Sequence, residues 1–126
     1  MSISNYLEGV LLNLVLTNTT FAAIATVYGA LHTGDPGETA TANPLASTPR
    51  MAIAFNAQAS STGVNATTVT WVCSATGTVS YISLWDGSAT ATANALWSGA
   101  LTASKTVANS GDSVQLTSGS LAVTLD

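Results

Sequence analysis

Charge is what this sequence has least of. Arg50 and Lys105 are its only basic side chains beside six acidic ones, so charged residues make up 6% of the chain, against about 25% in an ordinary soluble domain. Nucleic-acid binding needs clustered Lys and Arg to neutralise phosphates, and two basic side chains at a net charge of −4 exclude it. The same shortage removes the polybasic attraction that holds proteins to anionic membranes. Cysteine is almost absent as well. Cys73, the single one, can form neither an internal disulfide nor a thiolate metal cluster, and its place in the apolar stretch Val69–Cys73 predicts a buried, inert thiol.

Chemistry-bearing groups are equally sparse. His32 is the only histidine, and with Asp35 and Glu38 it matches neither the HExxH spacing nor a calcium loop. No metal and no cofactor are expected. A G-x-S-x-G elbow is missing, and the carboxylates are scattered over turns and termini rather than paired as a glycosidase requires, so no catalytic residues are assigned. Gly34-Asp35-Pro36-Gly37 lacks the Lys and helix of a phosphate loop and reads as a turn. The longest apolar run, Val10–Leu16 with Asn13 inside it, is far short of the roughly 20 residues that span a bilayer. Glu8 stands where a secretion signal carries basic residues, although Ala22, Ala23 and Ala25 keep a cleaved leader open as an alternative.

What is present is apolar and hydroxylic. Hydrophobic residues make up 47% of the 126, which excludes disorder and suits one domain with one core over residues 1–126. The surface must then consist of Thr, Ser, Ala, Asn and Gly, a coat that loses few hydration shells when another protein packs on it. Residues 1–24 read as a helix and linker. Asn5 is the expected cap, with Glu8 three residues on, and Leu7, Val10, Leu11 and Leu14 form an apolar stripe that Val15 and Leu16 widen.

Residues 25–126 change to a period of two. Thr26–Thr33 is strand-like and ends at the Gly34–Gly37 turn, and a loop runs from Gly34 to Pro49. Met51, Ile53 and Phe55 alternate with Ala52 and Ala54, and Val69, Trp71 and Cys73 alternate with Thr68 and Thr70. Thr78–Trp85 follows, closed by the hairpin signal Asp86-Gly87, then Ala95–Leu101, Ser104–Val107, Ser113–Thr117 and Leu121–Leu125. About eight short antiparallel strands separated by turns predict an all-β, jelly-roll-like β-sandwich with one short N-terminal helix.

The segments SISNYLEGVLLNLVL, LHTGDPGE at Leu31–Glu38, GTVSYISLWD at Gly77–Asp86 and the run from Gly99 to Asp126 resemble a structural protein family of tailed bacteriophages. Its members are commonly labelled phage tail fibre proteins, and similar small jelly-roll proteins serve as capsid cement or decoration proteins. The resemblance implies a non-enzymatic virion protein made in the host bacterial cytoplasm. Because the sequence shows no repeat of the kind long fibres carry, the expectation is a cement protein on the head surface. Its partners would be the major capsid protein and further copies of itself, as dimer or trimer. A tail or tail-fibre component is the alternative, and a secreted adhesin or carbohydrate-binding module a third.

Candidate interface residues are Leu7, Leu11 and Leu14 on the helix, and Asp35 and Pro36 in the loop, since tip loops are where partner contacts concentrate. Trp97 is added as the tryptophan expected outside the core, Trp71 and Trp85 being the better core candidates.

Overall fold

A computed structural model describes residues 1–58 and 60–125; Ala59 and Asp126 lie outside the described residues. Among the described residues nine strands and one helix follow in the order β1 (Ser2–Ile3), α1 (Asn5–Leu16), β2 (Val27–His32), β3 (Met51–Ile53), β4 (Thr62–Val64), β5 (Val69–Val72), β6 (Gly77–Trp85), β7 (Ala95–Val107), β8 (Ser113–Leu116) and β9 (Ala122–Thr124). Five strands form one sheet in the order β1-β7-β6-β2-β3, while β4 pairs with β9 and β5 with β8. Every pairing is antiparallel. The fold is the expected all-β sandwich with one short helix.

Alternation along the strands builds the core. Leu31, Ile53, Ile82, Leu84 and Leu96 from the large sheet meet Val69, Trp71, Val114 and Leu116 from the β5–β8 pair, all buried in one cluster. Cys73 is fully buried in the same cluster. Trp71 fixes how closely the layers approach. Its indole N–H donates to the Gly29 carbonyl at 3.0 Å, so the indole N–H, costly to bury alone, is satisfied across the core. A Cβ on Gly29 would lie 2.6 Å from Ile53 Cδ1 and 2.9 Å from the Trp71 ring; glycine here makes room for the tryptophan.

Asn65 closes the far end. It is fully buried, its amide donates to the Thr67 and Thr117 carbonyls at 2.8 and 2.9 Å, and its side-chain oxygen accepts from the Leu121 N–H at 2.9 Å.

Three sequence expectations change. The helix cap is Ser4 rather than Asn5: its hydroxyl accepts from the Leu7 N–H while donating to the Ala95 carbonyl, and its own N–H reaches the Leu96 carbonyl. Capping and anchoring to β7 are thus one act, which a local pattern could not reveal. Ala95–Leu101 and Ser104–Val107 are one strand of 13 residues. The gap read between them falls where the register against β6 jumps from Val79↔Lys105 to Tyr81↔Ala100. The short strands β1 and β4 were not expected; each has too few residues to show a period.

Candidate interaction surfaces

Three surfaces stand out, beginning on the face of the large sheet turned away from the core. Residues there alternate with the core residues, so Tyr28, Ala30 and His32 on β2 lie beside Ser83 and Trp85 on β6. Trp85, Ala40 and Ala95 form a second, smaller buried cluster, with Tyr28, Ala30 and Ala93 packed on it. The loop of residues 34–49 is tied over it: the Thr33 N–H donates to Asn43, and the Leu45 N–H to Leu31. On the other side Arg50 lies 3.5 Å above the centre of the Trp85 ring and its Nη1 donates to the Gly87 and Ala89 carbonyls at 3.3 and 2.9 Å. Cation, ring and the 86–94 turn are thereby clamped together. Burial lowers the Arg50 pKa, and the carboxylate of Asp86 opposes the shift.

The centre of this face is a chain of hydrogen bonds whose direction follows from its end. The Ala42 carbonyl can only accept, so His32 Nδ1 carries a proton and donates to it at 2.9 Å. The neutral ring then accepts at Nε2 from the Ser83 hydroxyl at 2.7 Å, and Ser83 Oγ accepts from the Trp85 indole N–H at 2.7 Å. Burial pushes the His32 pKa below 6.5, the bond to Ala42 opposes the shift and the Arg50 charge adds to it. Burial and the Arg50 charge outweigh the bond to Ala42, and the net shift favours the neutral ring.

A serine–histidine pair at 2.7 Å resembles a nucleophile and its base. Ser83, however, is fully buried with its oxygen committed to an indole, and the histidine is oriented by a carbonyl rather than a carboxylate. The pair holds the loop of residues 34–49 down. A cleft of about 470 Å³ remains beside it, with Glu38, Arg50 and Asn94 among its walls. No group of three or more His, Cys, Asp or Glu able to hold a metal occurs among the described residues.

The second surface is α1. Leu7 is buried, Leu11 is half-buried against the core, and from Leu12 to Ala23 every residue is exposed. Val15 is 77% exposed, Leu16 73%, Leu12 58% and Leu14 43%, with Phe21 following. The helix ends where Asn18 turns left-handed at φ 53 and the Thr17 and Thr19 amides return to the Asn13 carbonyl, the kind of stop asparagine provides. Its second half therefore projects from the body, apolar nearly all round. No helix among the described residues is long and apolar enough to cross a membrane.

The third surface is a groove of about 320 Å³ at the open margin between the large sheet and the β4–β9 pair. Val27, Phe55, Leu84, Trp97, Val123 and Leu125 line it, and no charged side chain among the described residues does.

The sequence-predicted interface residues thus separate. Leu7 serves this chain's own core, Leu11 straddles, and Leu14 points beyond it. Asp35 is exposed and its carboxylate accepts from the Gly37 N–H at 2.9 Å, shaping the turn, while Pro36 is fully buried and has no surface to offer a partner. Trp97 is half-buried on the groove. Sequence reasoning missed Phe21 and Leu125 as exposed residues, Phe55 as a wall of the groove and the whole His32–Ser83–Trp85 chain. Ser83 and Trp85 lie two apart on one strand, hence on one face, which was the available signal; their partner is 51 residues away.

A protein-family model described as Podophage GP4 fiber I protein gp80 matches residues 2–124. No curated protein matches the chain.

Proposed function

The chain belongs to the Podophage GP4 fiber I protein gp80 family, and from that premise we propose that it is a building block of the phage tail fibre, working by protein–protein contact and without a catalytic step. It is a structural protein of a phage virion. The observation that carries the fibre role is the family match over residues 2–124. It favours the tail over the head surface that the lack of sequence repeats suggested. The projecting apolar helix supports attachment: a segment with Leu12, Leu14, Val15 and Leu16 exposed gains from being covered, at about 25 cal/mol per Å² of apolar surface removed from water. Few charges have to be desolvated with it.

Quantitative mass spectrometry of intact virions and of heads stripped of their tails tests the role. The fibre reading expects the chain to leave with the tails and to be present in a small multiple of the tail's symmetry. Retention on stripped heads at a number comparable to the major capsid protein would overturn it in favour of capsid cement.

A further inference from the structure

We propose that the apolar groove receives the projecting helix of a second copy of this chain, so that copies join helix into groove. The inference rests on the fibre reading and names the partner of its exposed helix.

The helix leaves most of the apolar surface of its second half uncovered. Isolated helices of fewer than about 12–15 residues are marginal in water, and α1 has 12 residues with only Leu7 buried. It has no basic residue in its last turn, and its one charged side chain, Glu8, has no cation on the helix to pair with. A helical segment that is apolar nearly all round, as the second half of α1 is, belongs in an interior. Leu12, Leu14, Val15, Leu16 and Phe21 expose surface on the order of the 300–600 Å² of a typical monomer's largest apolar patch, and not far below the roughly 800 Å² that each partner buries in a stable interface.

The same chain supplies the complement. The groove is about 320 Å³ in volume, at the lower end of the roughly 300–1,000 Å³ of ligand pockets; six of its lining residues are apolar side chains of the same kind, and Gln58, Ser60, Ser61 and Gly63 complete the wall without a charge. Helix-in-groove docking seats apolar residues spaced along one helix face in such a trough, and Leu12, Val15 and Leu16 have that spacing. Among the described residues no charge opposes the contact. Asp35 and Glu38 lie in the loop over the opposite face of the large sheet, Asp86 lies in the turn clamped by Arg50, and Asp112 lies in the turn before β8; none lines the groove. Projection and groove on one chain make a head-to-tail contact, which closes into a ring or continues as a filament according to the rotation between copies.

Analytical ultracentrifugation of the full chain over a concentration series tests this, with two variants at exposed positions. Val15→Lys with Leu16→Lys disables the helix and places cations where the helix dipole tolerates them; Leu125→Lys disables the groove. Wild type is expected to rise in mass with concentration, and each variant alone to remain at the monomer mass with an unchanged circular dichroism spectrum. Mixed, the two variants are expected to give a 1:1 complex and nothing larger, because one intact helix meets one intact groove. A wild type that stays monomeric at every concentration overturns the inference. So do variants that stay apart when mixed, and so does a Leu125→Lys chain that still self-associates alone, since that pattern belongs to helix-on-helix contact. A monomeric chain that still travels with the tails would remove this inference and leave the fibre reading standing. Self-association of a chain retained on stripped heads would do the reverse.

Discussion

The outer face of the large sheet and the N-terminal helix are made from the same bland residues, and the chain finishes one and leaves the other open. On the sheet face, the loop of residues 34–49 and the 86–94 turn come down over Trp85. Every buried polar side-chain atom among the described residues has a partner. Along the second half of the helix and the segment after it, twelve consecutive residues from Leu12 to Ala23 are exposed, with four large aliphatic side chains in the first five. The contrast teaches where specificity comes from in a chain with few ions. Directional hydrogen bonds close a surface within one molecule, and an unclosed apolar surface with no such bonds is, on our proposal, completed by another.

The comparison breaks most visibly at Trp85. Replacing it with Ala removes the centre of the smaller cluster, the ring under Arg50 and the donor to Ser83, and is expected to cost about 3–5 kcal/mol, measured as a lower urea midpoint. Ser83→Ala keeps the packing and orphans two buried groups, the Trp85 N–H and His32 Nε2, at about 1–3 kcal/mol for each. Protease digestion should then cut within residues 34–49 faster than in wild type, because His32 no longer has its ring held against Ala42.

Acidification loosens the same face by a smaller amount. The folded pKa of His32 lies below 6.5, so above 6.5 neither state binds a proton there and stability is unaffected. As pH falls below 6.5 the unfolded chain takes up the proton first, and stability drops until the folded pKa is passed. A protonated ring would also turn Nε2 into a donor and strand the Ser83 proton. Chemical denaturation at several pH values should show this slope in wild type and a reduced one in His32→Gln. Least affected of all should be Val15→Lys with Leu16→Lys, which is expected to stay within about 0.5 kcal/mol of wild type in thermal melts of the dilute chain. A large loss there would mean that the helix end belongs to this chain's own core.

Much of the fold was legible because it is periodic. Met51-Ile53-Phe55 and Val69-Trp71-Cys73 alternate as half-buried strands must, and the structure buries Ile53, Val69, Trp71 and Cys73. The helix showed itself through Leu7 and Leu11, and the off-stripe Val15 and Leu16 already hinted at contacts on a second side. Illegible were features that depend on distant partners. Ser4 caps because Ala95 and Leu96 are beside it, Gly29 is glycine because Trp71 lies over it, and His32 is held by Ser83. Pro36 looked like a surface turn residue because nothing local says that the loop folds back over the sheet. The groove is assembled from β2, β4, β6, β7, β9, the segment before β4 and the one after β9, a combination no local window contains.

Backbone amide hydrogen exchange of Leu12–Leu16, compared between the dilute chain and the intact virion, tests the central claim most directly. An open surface completed by another chain predicts fast exchange in the dilute chain and strong protection in the particle, with the amides of β6 protected in both. Equal exchange of Leu12–Leu16 in the two states, whether fast or slow, would contradict it.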